Sequence, residues 1–194
     1  MYAGDTPWDI GRPQAPFIAA ADQVVSPVLE AGCGTGNAAL FFAALGHSVT
    51  AIDFVEEAIR RARAKAAERG LSVEFLVKDA MTLGEWDRQF ASVIDSGLFH
   101  IYGGNERRCY VRGLAHVLQP GGRLFLFVFS DEEPSAPPGS GVSRQDLLNS
   151  FADGWELESV ATVRGEVNPA YTADSPDAYP KEGPLGRFAI IRRL

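Results

Sequence analysis

The segment Glu30–Asn37, EAGCGTGN, sets Gly32, Gly34 and Gly36 between a short apolar run, Val28–Ala31, and a helical one, Asn37–Leu45, which Gly46 ends. Glycines at a strand-to-helix junction let the backbone approach a ligand closely, while the first amides of the helix point outward as anion or dipole partners. This is the layout of a nucleotide loop, although an ordinary tight strand–helix turn uses the same residues. The spacing is GxGxG. Dinucleotide folds use GxGxxG, whose last glycine would fall at position 37, where Asn37 stands.

Working outward, short β-rich runs alternate with helical ones, the pattern of a parallel sheet covered by helices on both faces. The next strand is Ser48–Asp53. From Val55 the apolar positions Val55, Ile59, Ala62 and Ala66 recur at helical spacing, with Glu56 and Glu57 in the first turn and Gly70 as terminator. Val73–Val77 gives a third strand leading to Asp79, and Phe90–Asp95 a fourth. Tyr110, Leu114, Val117 and Leu118 share a helix face that Pro120-Gly121-Gly122 closes before the strand Arg123–Ser130. Ser143 and Asp146 make a capping box for the helix Gln145–Ala152. Strands Trp155–Val163 and Arg187–Arg192 complete a set of seven. The reading is an α/β, Rossmann-like doubly wound sheet formed by one domain over residues 1–194, with no internal repeat or linker.

Three further strands end in a carboxylate. Asp53 ends the second strand 21 residues after Gly32, where a carboxylate accepts from ribose hydroxyls of an adenosine lying across the strand ends, and Phe54 beside it joins the same ligand set. Asp79 ends the third strand, where it can accept from an adenine amino group while the amides of Ala80 and Met81 face the ring nitrogens. Asp95 ends the fourth, over the crevice where open α/β sheets bind ligands. A helix cap or turn former explains any one of these aspartates equally well.

The balance of 25 acidic against 18 basic residues, a formal charge of −7, repels phosphate backbones and anionic membranes, so neither nucleic acid nor membrane is the expected partner. The longest apolar run, Ala38–Leu45, is far short of the ~20 residues that span a bilayer. The N-terminal residues lack a secretory layout, and Cys33 and Cys109 have no partner at metal-ligand or disulfide-framework spacing. A cytoplasmic protein with reduced thiols and no metal is expected, as a monomer or homodimer.

EAGCGTG, the Asp53 strand, Asp79-Ala80, the Asp95 strand and LQPGGRLFLF at 118–127 together resemble the class I S-adenosylmethionine-dependent methyltransferases over almost the whole chain. The resemblance implies a seven-stranded sheet with the last strand antiparallel. It also implies that Glu30 and the Gly32–Gly36 loop hold the methionine part of S-adenosylmethionine, Asp53 the ribose, and Asp79 and Ala80 the adenine, with S-adenosylhomocysteine as product. GDTPWDIGRPQAP at 4–16 is similar to the opening segment of the thiopurine, thiol and halide methyltransferase group. By that likeness Trp8, on an arm comprising residues 1–25, covers the methionine end of the cofactor; anchoring a proline-rich arm is its plainer role.

In-line methyl transfer needs little beyond a nucleophile held ~3 Å from the methyl carbon and exclusion of water. His100, in a GLFH loop after Asp95, is the candidate base, and a loop-corner histidine bonded to backbone is the alternative. Phe17, Phe99, Tyr102, Ser130 and Tyr171 are candidate pocket residues, and 168–184 is a candidate lid. Ser96 and Gly97 stand where amino-directed nucleic-acid and protein methyltransferases carry an NPPY-type loop. The expected acceptor is therefore a thiol, ring nitrogen or hydroxyl of a small, aromatic or heterocyclic molecule. An NAD(P)-dependent oxidoreductase and a non-catalytic binder of the same fold are the rival readings; the lack of a Tyr-x-x-x-Lys pair near the fourth strand weakens the first.

Overall fold

In a computed structural model, which describes residues 6–134, 141–174, 180 and 182–194, seven strands form one sheet in the order β3-β2-β1-β4-β5-β7-β6. The strands are β1 (Val28–Ala31), β2 (Val49–Asp53), β3 (Glu74–Val77), β4 (Phe90–Ser96), β5 (Leu118–Phe129), β6 (Trp155–Arg164) and β7 (Leu185–Arg193). The first five pair in parallel, while β7 runs antiparallel to both β5 and β6. The order reverses between β1 and β4, so their carboxyl ends part the flanking connections and leave a crevice there.

Alternation along the strands feeds two cores. Leu29, Ile52, Val93, Leu124 and Leu126 face one layer with Leu114, Val117 and Leu147 of α4 (Gly104–Val117) and α5 (Arg144–Ser150). Val28, Ala51, Ile94 and Phe125 face the other, with Leu40 and Phe42 of α2 (Asn37–Ala44) and Ile59 and Ala62 of α3 (Glu56–Arg69). Strands buried on both faces read as continuous apolar runs for this reason. Two short helices complete the chain, α1 (Ala15–Ala19) and α6 (Pro169–Asp174). Among the described residues no helix is long and apolar enough to cross a membrane.

Local differences from the sequence expectations have physical causes. Val55 is the N-cap of α3, and Ala58 takes its place on the buried stripe with Ile59, Ala62 and Ala66. The Pro120-Gly121-Gly122 turn is absorbed into β5 as an irregularity, because Leu118 already pairs with Phe90 before the ladder resumes at Arg123 and Ser92. The Ser143–Asp146 capping box forms reciprocally, with the Asp146 amide donating to Ser143 Oγ and the Ser143 amide to Asp146 Oδ2, both at 2.9 Å.

Candidate functional site

A cavity of about 410 Å³ opens at the carboxyl ends of β1, β2 and β4, the place the strand order dictates. Glu30, Gly32–Thr35, Asn37, Asp53, Phe54 and Ala80 form one part of its wall. His100, Ile101, Tyr102, Phe127, Phe129 and Val167 form a more apolar part. The N-terminal arm contributes Trp8, Asp9, Arg12 and Gln14.

Glu30 is a buried carboxylate with a structural task. The N-cap of α2 is Gly36, which has no side chain to satisfy the first amides of the helix, and Glu30 reaches from β1 to accept from Ala39 at 2.7 Å. Burial pushes its pKa up to about 8; the Ala39 amide works against this, and the nearby Asp53 and Asp95 charges add to it. A carboxylate so placed is poised to ionise when a cation arrives. Asp53, at the end of β2, accepts from the Gly34 amide through Oδ2 and from the Val55 amide through Oδ1, both at 2.9 Å. It thus fixes the glycine loop while remaining in the cavity wall.

Two glycines of the loop are required by their surroundings. Gly32, at φ +69°, faces Leu98, whose Cβ would lie 3.0 Å from an added Cβ. Gly36, at φ +81°, lies against the Phe75 ring, 2.9 Å from where a Cβ would stand, and against Ala62 of α3. Gly36 is therefore a packing residue between α2, α3 and β3, away from the cavity wall where the sequence reading placed it.

Other assignments also need correction. Asp95 is fully buried and accepts from the Leu98 and Phe99 amides and the Tyr110 hydroxyl, at 2.8, 3.1 and 2.8 Å. It shapes the turn after β4 from behind the cavity; burial raises its pKa to about 6, with the Tyr110 hydroxyl and the backbone amides working against that rise. Asp79 is exposed and caps the following 3-10 turn, accepting from Met81 at 2.8 Å, so the Met81 amide is already engaged and Met81 packs against the core. Phe17 sits in the core, edge-on to Phe188 with ring centroids 5.2 Å apart. Phe99 stacks on Phe151 at 5.4 Å on the far side of its turn. Ser130 is fully buried, with Oγ accepting from the Glu132 amide at 3.1 Å. Tyr171 lies on α6, off the cavity wall; Tyr179, the rest of the candidate lid at 175–179, and 181 are outside the described residues. Periodicity marks an aromatic as apolar without saying on which side of a loop it turns.

The sequence reading missed the clasp that holds the arm. Asp9 accepts from Thr35 Oγ1 at 2.7 Å and Asn37 Nδ2 at 2.8 Å, and pairs with Lys65 of α3 at 3.3 Å. Lys65 Nζ also donates to Thr35 Oγ1 at 2.6 Å and Asn37 Oδ1 at 3.0 Å. Burial opposes ionisation of Asp9, but the Thr35 and Asn37 hydrogen bonds and the Lys65 charge outweigh it and hold the carboxyl below its usual range. On the other flank, Gln14 exchanges two hydrogen bonds with the Glu166 backbone, at 3.0 and 2.7 Å, and Arg12 pairs with the Glu166 carboxylate. The only hint in the sequence is Asp9 next to Trp8, because its partners lie 26 to 56 residues away.

These residues suit a ligand that is cationic at one end and flat at the other: two carboxylates, and Phe54 and Trp8 with 62% and 48% of their surface exposed at the cavity. A family model described as a methyltransferase domain matches residues 28–122. A 2-heptyl-1-hydroxyquinolin-4(1H)-one methyltransferase of Mycobacteroides abscessus is 32% identical over 198 aligned positions, covering 99% of this chain and 83% of that protein. The chain belongs to the class I S-adenosylmethionine-dependent methyltransferases. A solved structure concerned with conversion of a disulfide bond into a thioacetal group during echinomycin biosynthesis superposes on this methyltransferase with a TM-score of 0.82 at 34% identity, covering 97% of this chain and 85% of that one. A probable thiol methyltransferase 2 of Arabidopsis thaliana is 30% identical over 149 positions, 73% of this chain and 64% of that protein. The cofactor of the enzyme is S-adenosylmethionine, which solved structures of the same fold carry either intact or as its product.

Proposed function

We propose that the enzyme methylates a thiol, ring nitrogen or acidic hydroxyl on a small, flat, aromatic or heterocyclic molecule. The observation that carries this reading is the division of the cavity into a carboxylate-lined part and an apolar, aromatic part formed by Ile101, Tyr102, Phe127 and Phe129. Pockets of this composition hold small ligands through apolar contact and orient them with a few polar groups. The quinolone named for one relative lies within this class, and the thiol named for another is one of its nucleophiles.

S-adenosylmethionine, when bound, supplies an electrophilic methyl group on a sulfonium. The residues assigned to hold it are Glu30 and the Gly32–Thr35 loop for the amino-acid portion, Asp53 for the ribose, and Phe54 and Ala80 for the adenine. Trp8, carried over the cavity by the clasped arm, covers the methionine end and excludes water there. The likeness of residues 4–16 to the thiopurine, thiol and halide group supports assigning the enzyme to that branch. The chain acts as one domain with the arm as part of its site.

The test is an acceptor panel: S-adenosylmethionine with thiophenol, a 6-thiopurine, 1-hydroxyquinolin-4-one, an aliphatic thiol, a mixed peptide and a short RNA, read as S-adenosylhomocysteine formed. Turnover concentrated on the aromatic and heterocyclic acceptors is expected. Turnover confined to peptide or RNA, or absent throughout, overturns the proposal.

A further inference from the structure

His100 lines the apolar part of the cavity. It lies in the 3-10 turn Phe99–Ile101, and its imidazole stacks on Phe129 with centroids 4.7 Å apart and planes inclined by 26°. The Phe129 backbone amide donates to Nδ1 at 3.5 Å. A ring nitrogen that accepts from an amide carries no proton, so the neutral ring bears its hydrogen on Nε2. Nε2 has no hydrogen-bond partner among the described residues, and the ring lines the cavity.

We propose that His100 donates a hydrogen bond through Nε2 to the methyl acceptor and so selects molecules that carry a second, hydrogen-bond-accepting oxygen or nitrogen in addition to the nucleophile, without acting as the base that ionises it. The proposal rests on the small-molecule reading above and narrows it. Burial, followed by the charge of Arg107 on α4, pushes the imidazole down to about 4, so it stays neutral across the working range. The charged groups that line the cavity with it are Asp9, Arg12, Glu30, Asp53, Lys78 and Glu166. A donor that cannot take a proton suits acceptors that ionise unaided, such as thiols and hydroxyls on electron-poor heteroaromatic rings, or that attack as neutral ring nitrogens. Where the acceptor has a proton, it goes to water before transfer. The acceptor's lone pair then forms the bond to the methyl carbon as the carbon–sulfonium bond breaks, and the electron pair of that bond stays on sulfur.

Two measurements test this. Long-range proton–nitrogen NMR of the labelled protein, bound to S-adenosylhomocysteine, reads the His100 tautomer and titration directly and needs no acceptor. A neutral Nε2–H ring from about pH 5 upward is expected, and an Nδ1–H ring or a titration near 6.5 overturns the proposal even if the acceptor class is different. The second measurement compares His100→Phe, which keeps the ring stack but has no donor, with His100→Gln, whose amide nitrogen can stand where Nε2 does but cannot act as a base. With 1-hydroxyquinolin-4-one the Phe variant is expected to raise KM about 5- to 10-fold, the worth of one hydrogen bond, and the Gln variant to restore it. With thiophenol, which has no second polar atom, the Phe and Gln variants are expected to shift KM alike, so that only the quinolone separates them. A kcat lost equally in both variants, together with a pH midpoint common to both acceptors that disappears with the imidazole, makes His100 a base and overturns the proposal. Failure of the acceptor class shows itself separately, as wild-type enzyme that turns over neither compound.

Discussion

Glu30 joins fold and function in one side chain, since it caps α2 from a neighbouring strand and faces the ligand cavity. Its folded pKa of about 8 lies above the ordinary carboxylate value of 4.5, so folding takes up a proton between those two values. Stability contributed by this group is full below about pH 4.5 and is lost as pH rises toward about 8. Glu30→Gln keeps an oxygen for the Ala39 amide and removes the titration; its melting temperature should fall less steeply than that of wild type across this window, and parallel curves would contradict the assignment. Asp53→Ala should weaken S-adenosylhomocysteine binding by about 1–3 kcal/mol, the cost of losing a buried, charge-assisted hydrogen bond. Unchanged affinity in calorimetry would remove the ribose role. Asp53 was readable from the sequence because it ends a strand 21 residues after Gly32, whereas Glu30 came from the family resemblance. The burial of Asp95 was not, because its partners come from a turn and from Tyr110, fifteen residues away.

Elements explain where local reading stops. The α3 helix was legible from its acidic first turn, apolar stripe and terminal glycine, and only its first buried contact shifted, from Val55 to Ala58. Gly36 shows a limit of motif reading: it belongs to a ligand-loop pattern, yet what forbids a side chain there is the Phe75 ring and Ala62 of α3. Gly36→Ala should cost about 2–4 kcal/mol in denaturant unfolding, from overpacking added to a left-handed backbone. Gly46→Ala, at φ +90° but with nothing within 4 Å, should cost about 1 kcal/mol, and equal losses would refute the packing role. The arm is the element that sequence could not attach. Its clasp joins Asp9 to Thr35, Asn37 and Lys65, groups on three separate segments, and no periodicity connects them. Asp9→Ala should speed protease cleavage within residues 6–20 and raise the S-adenosylhomocysteine dissociation constant about 3- to 10-fold, a loss on the order of 1 kcal/mol. Wild-type resistance to cleavage in that variant would mean that the Arg12 and Gln14 contacts with Glu166 suffice alone.

At the scale of the whole molecule, the sheet order does most to place the site. Parallel strands on either side of the β1–β4 switch leave a crevice at their carboxyl ends, and the chain concentrates its glycines, carboxylates and exposed aromatics there. Alternating strand and helix patterns predicted a parallel sheet with both faces covered, while its antiparallel last strand was implied by the family resemblance alone. The outer walls of the cavity, Ile101, Phe127, Phe129 and Val167, come from three places in the chain, and neither spacing nor composition distinguishes them from core residues. The central claim is that this crevice is an S-adenosylmethionine site. Its most direct test is calorimetric titration of the purified protein with S-adenosylhomocysteine, with NADH and NADPH run in parallel. Micromolar binding of S-adenosylhomocysteine alone is the predicted result; binding of a nicotinamide nucleotide in its place, or of none of the three, would contradict it.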